Sequence, residues 1–125
     1  MTILIDNRSG QPIYEQICTQ IKSQILSGTL RENAALPSIR SLAKDLGISV
    51  ITTKRAYDEL EAEGLICVIP GKGSFIAAGN RSALREERLR EMEGYMRKIK
   101  AIASDCAIGR AELLEIYTHI EEEMT

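Results

Sequence analysis

Apolar residues recur along this 125-residue chain in short periodic runs, parted by glycine or proline. In "QPIYEQICTQIKSQILSG" they stand at 14, 17, 18, 21 and 25, one stripe of a helix. Pro12 suits a first helical position and Gly28 a C-terminal cap. In "LPSIRSLAKDLG", Pro37 discourages helix at Leu36 and Ser38 can cap a new start. Ile39, Leu42, Ala43 and Leu46 make its apolar face, and Gly47 ends it. A third helix follows Ile48, with Ser49 as N-cap and Gly64 closing it. Thr53, Ala56, Tyr57 and Leu60 follow the i, i+3, i+4, i+7 spacing of a core face.

The period then changes. Two β-prone runs, Ile66–Ile69 and Ser74–Ala77, flank Pro70-Gly71-Lys72-Gly73, which reads as a β-hairpin. From about Arg81 glycines become sparse and Glu and Arg dominate, which predicts a long helix ending near Gly109. Along it Leu89, Met92, Met96, Ile99, Ala103 and Cys106 form a heptad seam. A last helix, 110–124, aligns Leu113, Tyr117, Ile120 and Met124 on one stripe. The expected fold is mainly α with a small hairpin. A winged helix-turn-helix occupies residues 1–79 and a two-helix segment residues 80–125.

Composition narrows the class. At 44% hydrophobic and 27% charged, the chain suits one soluble domain, or a small domain with an appendage. No apolar run is long enough to span a bilayer. "MTILIDNRSG" lacks the basic start and apolar centre of a signal peptide, so a cytoplasmic location is expected. Cys18, Cys67 and Cys106 are scattered and form no metal-binding pattern, and each is expected to be a small buried apolar residue. No cofactor or metal is expected. The net charge of −2 argues mildly against nucleic acid, but its distribution does not. Between Pro37 and Tyr57 stand Arg40, Lys44, Lys54 and Arg55 against Asp45 alone, a local +3 (four minus one).

Two short helices joined through glycine, the second capped by serine, make a helix-turn-helix candidate. Glycine permits the left-handed turn, and Ala43 lets the helices approach closely. With Thr53, Ala56, Tyr57 and Leu60 placed on the core, a projection at about 100° per residue turns Ile51 and Arg55 outward. Thr52 and Lys54 fall on the flanks. A recognition helix enters the major groove by its N-terminal end. Ile51 and Arg55 would then face base edges, and Thr52 and Lys54 phosphates. Val50 and Ile51 are unusual in a first turn, and thymine methyl groups are an apolar partner for them. Packing of Val50 on the first helix or the wing is the alternative. Arg55 suits either a guanine or a phosphate. Arg40 suits a phosphate or is a solvated charge. Lys72, between Gly71 and Gly73 at the hairpin tip, suits close approach to a nucleic-acid backbone.

The segments "YEQICTQIKSQILSGTL", "LPSIRSLAKDLGIS", "RAYDELEAEGLI" and "GKGSFIA" together resemble the DNA-binding domain of GntR-family bacterial transcriptional regulators. The short two-helix end resembles the YtrA-like subfamily. The resemblance implies a dimeric winged-helix repressor of the kind often encoded beside ABC-transporter operons. It places DNA contacts on Arg40, Ser49, Thr52, Lys54 or Arg55, and on Gly71-Lys72-Gly73. The family pattern often has arginine directly after the capping serine, where this chain has Val50.

Two terminal helices cannot by themselves wall a pocket of roughly 300 Å³ or more. Their seam is best covered by a second copy. The expected dimer interface is Leu89, Met92, Met96, Ile99, Ala103, Cys106, Leu113, Tyr117 and Ile120. The alternative folds these helices back on their own winged helix, and Met92 and Met96 could also form an adaptable ligand surface. The expected partners are a double-stranded DNA operator and a second copy, with no membrane. The sequence leaves a small-molecule effector open. His119, the only histidine, stands in a glutamate-rich helix, and no nucleophile elbow or phosphate loop is present, so an enzyme is not expected. The rival reading is a winged helix that binds a protein partner without sequence-specific DNA binding.

Overall fold

A computed structural model describes the whole chain, Met1–Thr125. Its elements are α1 (Ile13–Ser27), α2 (Ile39–Leu46), α3 (Val50–Ala62), β1 (Ile66–Ile69), β2 (Gly73–Ile76), α4 (Arg81–Asp105) and α5 (Arg110–Glu123). The chain divides into two compact units, Met1–Arg85 and Glu86–Thr125. No helix is long and apolar enough to cross a membrane.

The first unit is the expected winged helix-turn-helix. α1 and α2 both pack on α3. Ile17, Ile21, Ala56 and Leu60 are sealed from solvent, with Leu42, Leu65, Ile66 and Ile76 around them. Three polar groups carried into this core have partners. Thr53 Oγ1 donates to the Ser49 carbonyl at 3.1 Å. Tyr57 Oη donates to the Pro37 carbonyl at 2.7 Å, which ties α3 to the chain just before α2. Burial pushes the Tyr57 phenol up to about 12. The Cys18 thiol donates to the Ala56 carbonyl at 3.5 Å. Burial, then the nearby Glu59 charge, raises that thiol to about 11.

α2 and α3 end in the same way. Gly47 N–H reaches the Lys44 carbonyl and Ile48 N–H the Ala43 carbonyl. Gly64 N–H reaches Glu61 and Leu65 N–H reaches Leu60. Both glycines are left-handed, at φ 66° and 76°. This closure satisfies carbonyls that the helix leaves open and turns the next apolar residue, Ile48 or Leu65, into the core.

The wing is an antiparallel pair, Ile66 opposite Ile76 and Ile69 opposite Gly73. Its turn closes through Lys72 N–H to the Ile69 carbonyl at 2.9 Å. Pro70 and the left-handed Gly71 stand at the centre, as a type II turn requires. β2 begins one residue earlier than the sequence suggested because Gly73 itself pairs with Ile69. The stretch read as a plain loop before α2 adds a short third edge. Leu36 N–H bonds to the Ser74 carbonyl, and Asn33 and Ala34 bond to Ile76.

The N-terminal segment is docked rather than free. Gln16, Gln20 and Gln24 stand four residues apart on α1 and grip alternate backbone units of the segment. Gln16 bonds both the N–H and the carbonyl of Asp6, each at 2.8 Å. Gln20 bonds both groups of Leu4, at 2.9 and 2.7 Å. Gln24 donates to the Thr2 carbonyl at 2.7 Å, and its own Oε1 is buried without a partner. Ile3, between the rungs, enters the core.

In the second unit α4 ends at Asp105, short of the expected end near Gly109. Ile108 N–H bonds to the Ala103 carbonyl at 2.8 Å and Ala107 N–H to Ser104 at 3.3 Å. This is the closure used by α2 and α3, but Ala107 takes the left-handed position, at φ 56°. With no glycine there, nothing in the sequence marked the end. Two of the three cysteines also depart from expectation. Cys18 is buried, but Cys67 and Cys106 are exposed. A two-stranded wing covers only one of its faces, and Cys106 lies past the last helical residue of α4.

Candidate nucleic-acid interface

The first turn of α3 is built by Ser49. Its backbone is extended and its Oγ accepts from Thr52 N–H at 3.1 Å, capping the helix. The same hydroxyl donates to Thr52 Oγ1 at 2.8 Å. Ser49 is thereby committed to the cap, and the Thr52 proton is left for an acceptor outside the chain. The four residues expected on the core face, Thr53, Ala56, Tyr57 and Leu60, are the four that α3 buries. Ile51 therefore stands outward, 82% exposed. Val50 is exposed too, though less so, at 46%.

The bases differ in how they are held. Lys54 pairs with Asp58 one turn on, at 2.7 Å, with both side chains more than half exposed. Such a pair is worth roughly 0.5 kcal/mol, so a phosphate can take the lysine from it. Arg55 is tied to another element. Its guanidinium carbon lies 3.7 Å from the centre of the Tyr14 ring on α1, with Glu59 Oε1 3.8 Å from its Nε. By its spacing Tyr14 belongs to the apolar stripe of α1. The structure leaves it half-buried at the stripe's end, with its hydroxyl donating to Glu15 at 3.2 Å. Desolvation, then that bond, raises the Tyr14 phenol, and the Arg55 charge opposes the rise. No spacing rule could have flagged this pair, because the partners lie on different helices.

Arg40 is exposed in the first turn of α2. Gly71, Lys72 and Gly73 are exposed at the wing tip, with the Lys72 side chain unengaged beyond its backbone bond. All ten residues singled out for DNA therefore belong to the first unit. Nine are exposed, and Thr52 is half-buried. The arrangement offers an apolar patch at a helix N-terminus with cations beside it, the chemistry that major-groove base edges and flanking phosphates require.

The second-unit residues behave differently. Leu89, Met92, Met96, Ile99, Tyr117 and Ile120 are exposed apolar side chains, and Leu113 is half-buried. Ala103 is only 3% exposed, so the chain covers it without help. Tyr95, Ile102, Ile116 and Met124 are exposed as well and widen the apolar surface beyond the seam.

Residues 13–76 match the family model described as bacterial regulatory proteins, gntR family. The chain is 34% identical over 120 residues to the HTH-type transcriptional repressor YtrA of Bacillus subtilis (strain 168), covering 96% of this chain and 90% of that protein. It resembles the crystal structure of a transcriptional regulator from Oenococcus oeni, with a TM-score of 0.74, 29% identity and 96% of each chain covered. It also resembles the DNA-binding domain of AraR in complex with operator ORX1. That match has a TM-score of 0.54 and 26% identity, over 62% of this chain and 96% of that one.

Proposed function

Since the chain belongs to the GntR family of bacterial regulatory proteins and is a DNA-binding transcriptional regulator, we propose that it is a homodimeric repressor of a near-palindromic operator. Residues 1–79 bind DNA and residues 80–125 dimerise. Val50 and Ile51 meet thymine methyls. Thr52, Lys54, Arg40 and Lys72 meet the backbone and Arg55 a guanine or a phosphate, with Gly71 and Gly73 permitting close approach of the wing. Ser49 acts by presenting the helix end. The observation that carries this reading is Ile51, 82% exposed in the first turn of a helix whose opposite face is entirely core. Exposing a large β-branched side chain there has no benefit to the fold. The apolar surface of α4 and α5 supports the dimer. We extend the proposal to a cytoplasmic repressor of an ABC-transporter operon, which rests on the resemblance to YtrA-like regulators.

The test is selection of bound duplexes from a random pool at about 150 mM salt, fixed because phosphate contacts make affinity salt-dependent. The expected result is a two-fold-symmetric motif, its half-sites about one helical turn apart or a multiple of that. Symmetric thymines should lose enrichment on Ile51→Ala. An asymmetric single half-site would overturn the dimeric reading. Absence of any enrichment would favour a protein partner for this winged helix.

A further inference from the structure

Of the two bases on α3, only Arg55 is held by a residue of another element. Its guanidinium lies over the face of Tyr14, 3.7 Å from the ring centre, the geometry of a cation on an aromatic quadrupole. Tyr14 stands one turn before Ile17 and Cys18, which anchor α1 in the core against α3. The ring is therefore carried by an element anchored in the core. An arginine lying flat on a ring keeps the N–H groups at its edge available, and the Arg55 side chain remains 61% exposed. It is drawn toward α1, off the outward direction that Ile51 occupies. Glu15 and Glu59 both lie near this ring. Without a cation in front of them, that flank would repel a phosphate.

We propose that Tyr14 is a positioning residue for DNA binding. Its ring holds the Arg55 guanidinium on the α1 flank of α3 to clamp a backbone phosphate, and base reading is left to the apolar first turn. This rests on the DNA-binding role proposed above. It narrows Arg55 from two possible contacts to one and brings α1 into the interface. Pre-holding the side chain also reduces the rotamer freedom lost on binding.

The experiment measures affinity of the full chain for its selected duplex, and for duplexes with single base-pair changes, across a salt series. Arg55→Ala should weaken all duplexes alike and reduce the salt slope by about 1. Tyr14→Leu should weaken all of them about two- to five-fold. Tyr14→Phe, which keeps the ring, should match the wild type. Tyr14→Leu added to Arg55→Ala should cost nothing further. Arg55→Lys keeps the charge, loses the flat stack and leaves α1 untouched. It should lose about as much as Tyr14→Leu, which guards against misfolding of the Tyr14 variant. The inference is overturned if the Tyr14 and Arg55 losses add, if Tyr14→Phe is as weak as Tyr14→Leu, or if Arg55→Ala changes preference at one base pair alone. A wild-type chain that selects no sequence sinks the proposed function itself. Wild-type selection indifferent to Tyr14 sinks only this inference.

Discussion

The two units spend their apolar residues in opposite ways. In Met1–Arg85 the large aliphatic side chains converge, and the buried polar atoms of Thr53 and Tyr57 find partners. In Glu86–Thr125 only Ala103 is buried, while methionines, isoleucines and tyrosines of both helices face outward. A single copy is enough to fold the first unit. The second carries a hydrophobic pattern that the chain leaves exposed, and this is the surface for which a dimer contact is proposed. Within the first unit Leu4, Val68 and Ile69 are exposed as well as Val50 and Ile51, and the pair at the start of α3 is the one for which a DNA contact is proposed.

The sharpest way to break this contrast is to damage each unit and compare. Leu60→Ala, in the sealed core, should destabilise the chain by about 2–5 kcal/mol in denaturant unfolding. Met96→Glu with Ile99→Glu should leave the winged helix folded. It should weaken self-association at least tenfold, about 1.4 kcal/mol, in sedimentation equilibrium. Association that persists in this variant would mean the seam is not the interface.

Smaller effects sharpen the picture. Tyr57→Phe removes the bond to Pro37 and leaves that carbonyl unpaired, for a loss of about 1 kcal/mol. Because folding raises this phenol to about 12 from an ordinary value of 10.0, its contribution is complete below pH 10. It fades as pH climbs from 10 toward 12. The Cys18 thiol, raised to about 11 from 9.0, titrates in a neighbouring window. The informative curve is therefore wild type minus Tyr57→Phe, which should fall over that range. The smallest expected effect is a gain. Ala107→Gly relieves a left-handed alanine and should slow amide exchange at the α4–α5 turn, stabilising it by about 0.5–1 kcal/mol.

Much of the winged helix was legible because its signals are local. Ser38 and Ser49 cap where they stand, Gly47 and Gly64 turn where they stand, and the four core residues of α3 follow from spacing alone. What was not legible depends on partners distant in sequence. Gln16, Gln20 and Gln24 give no signal in the sequence, since a polar stripe looks the same whether it meets water or a backbone. The pairing of residues 33–36 with β2 leaves no trace in composition. Ala107 ends α4 without the residue type that announces such an end. Tyr14 looked like core because it shares the stripe's spacing, and its role toward Arg55 emerges only when two helices are placed together.

The three glutamines of α1 and the segment they hold behave as a vernier, two scales with unequal divisions. Four residues of helix advance about 6.0 Å, while two residues of extended chain advance about 6.7 Å. Each rung therefore slips by roughly 0.7 Å, and the helical row also swings about 40° around its axis. The marks coincide at Asp6 and Leu4, where both hydrogen bonds close, and have parted by Thr2, where only one does. At that last rung Gln24 Oε1 is left buried without a partner. The segment is thus fixed in one alignment by the arithmetic of two repeats that never agree for long.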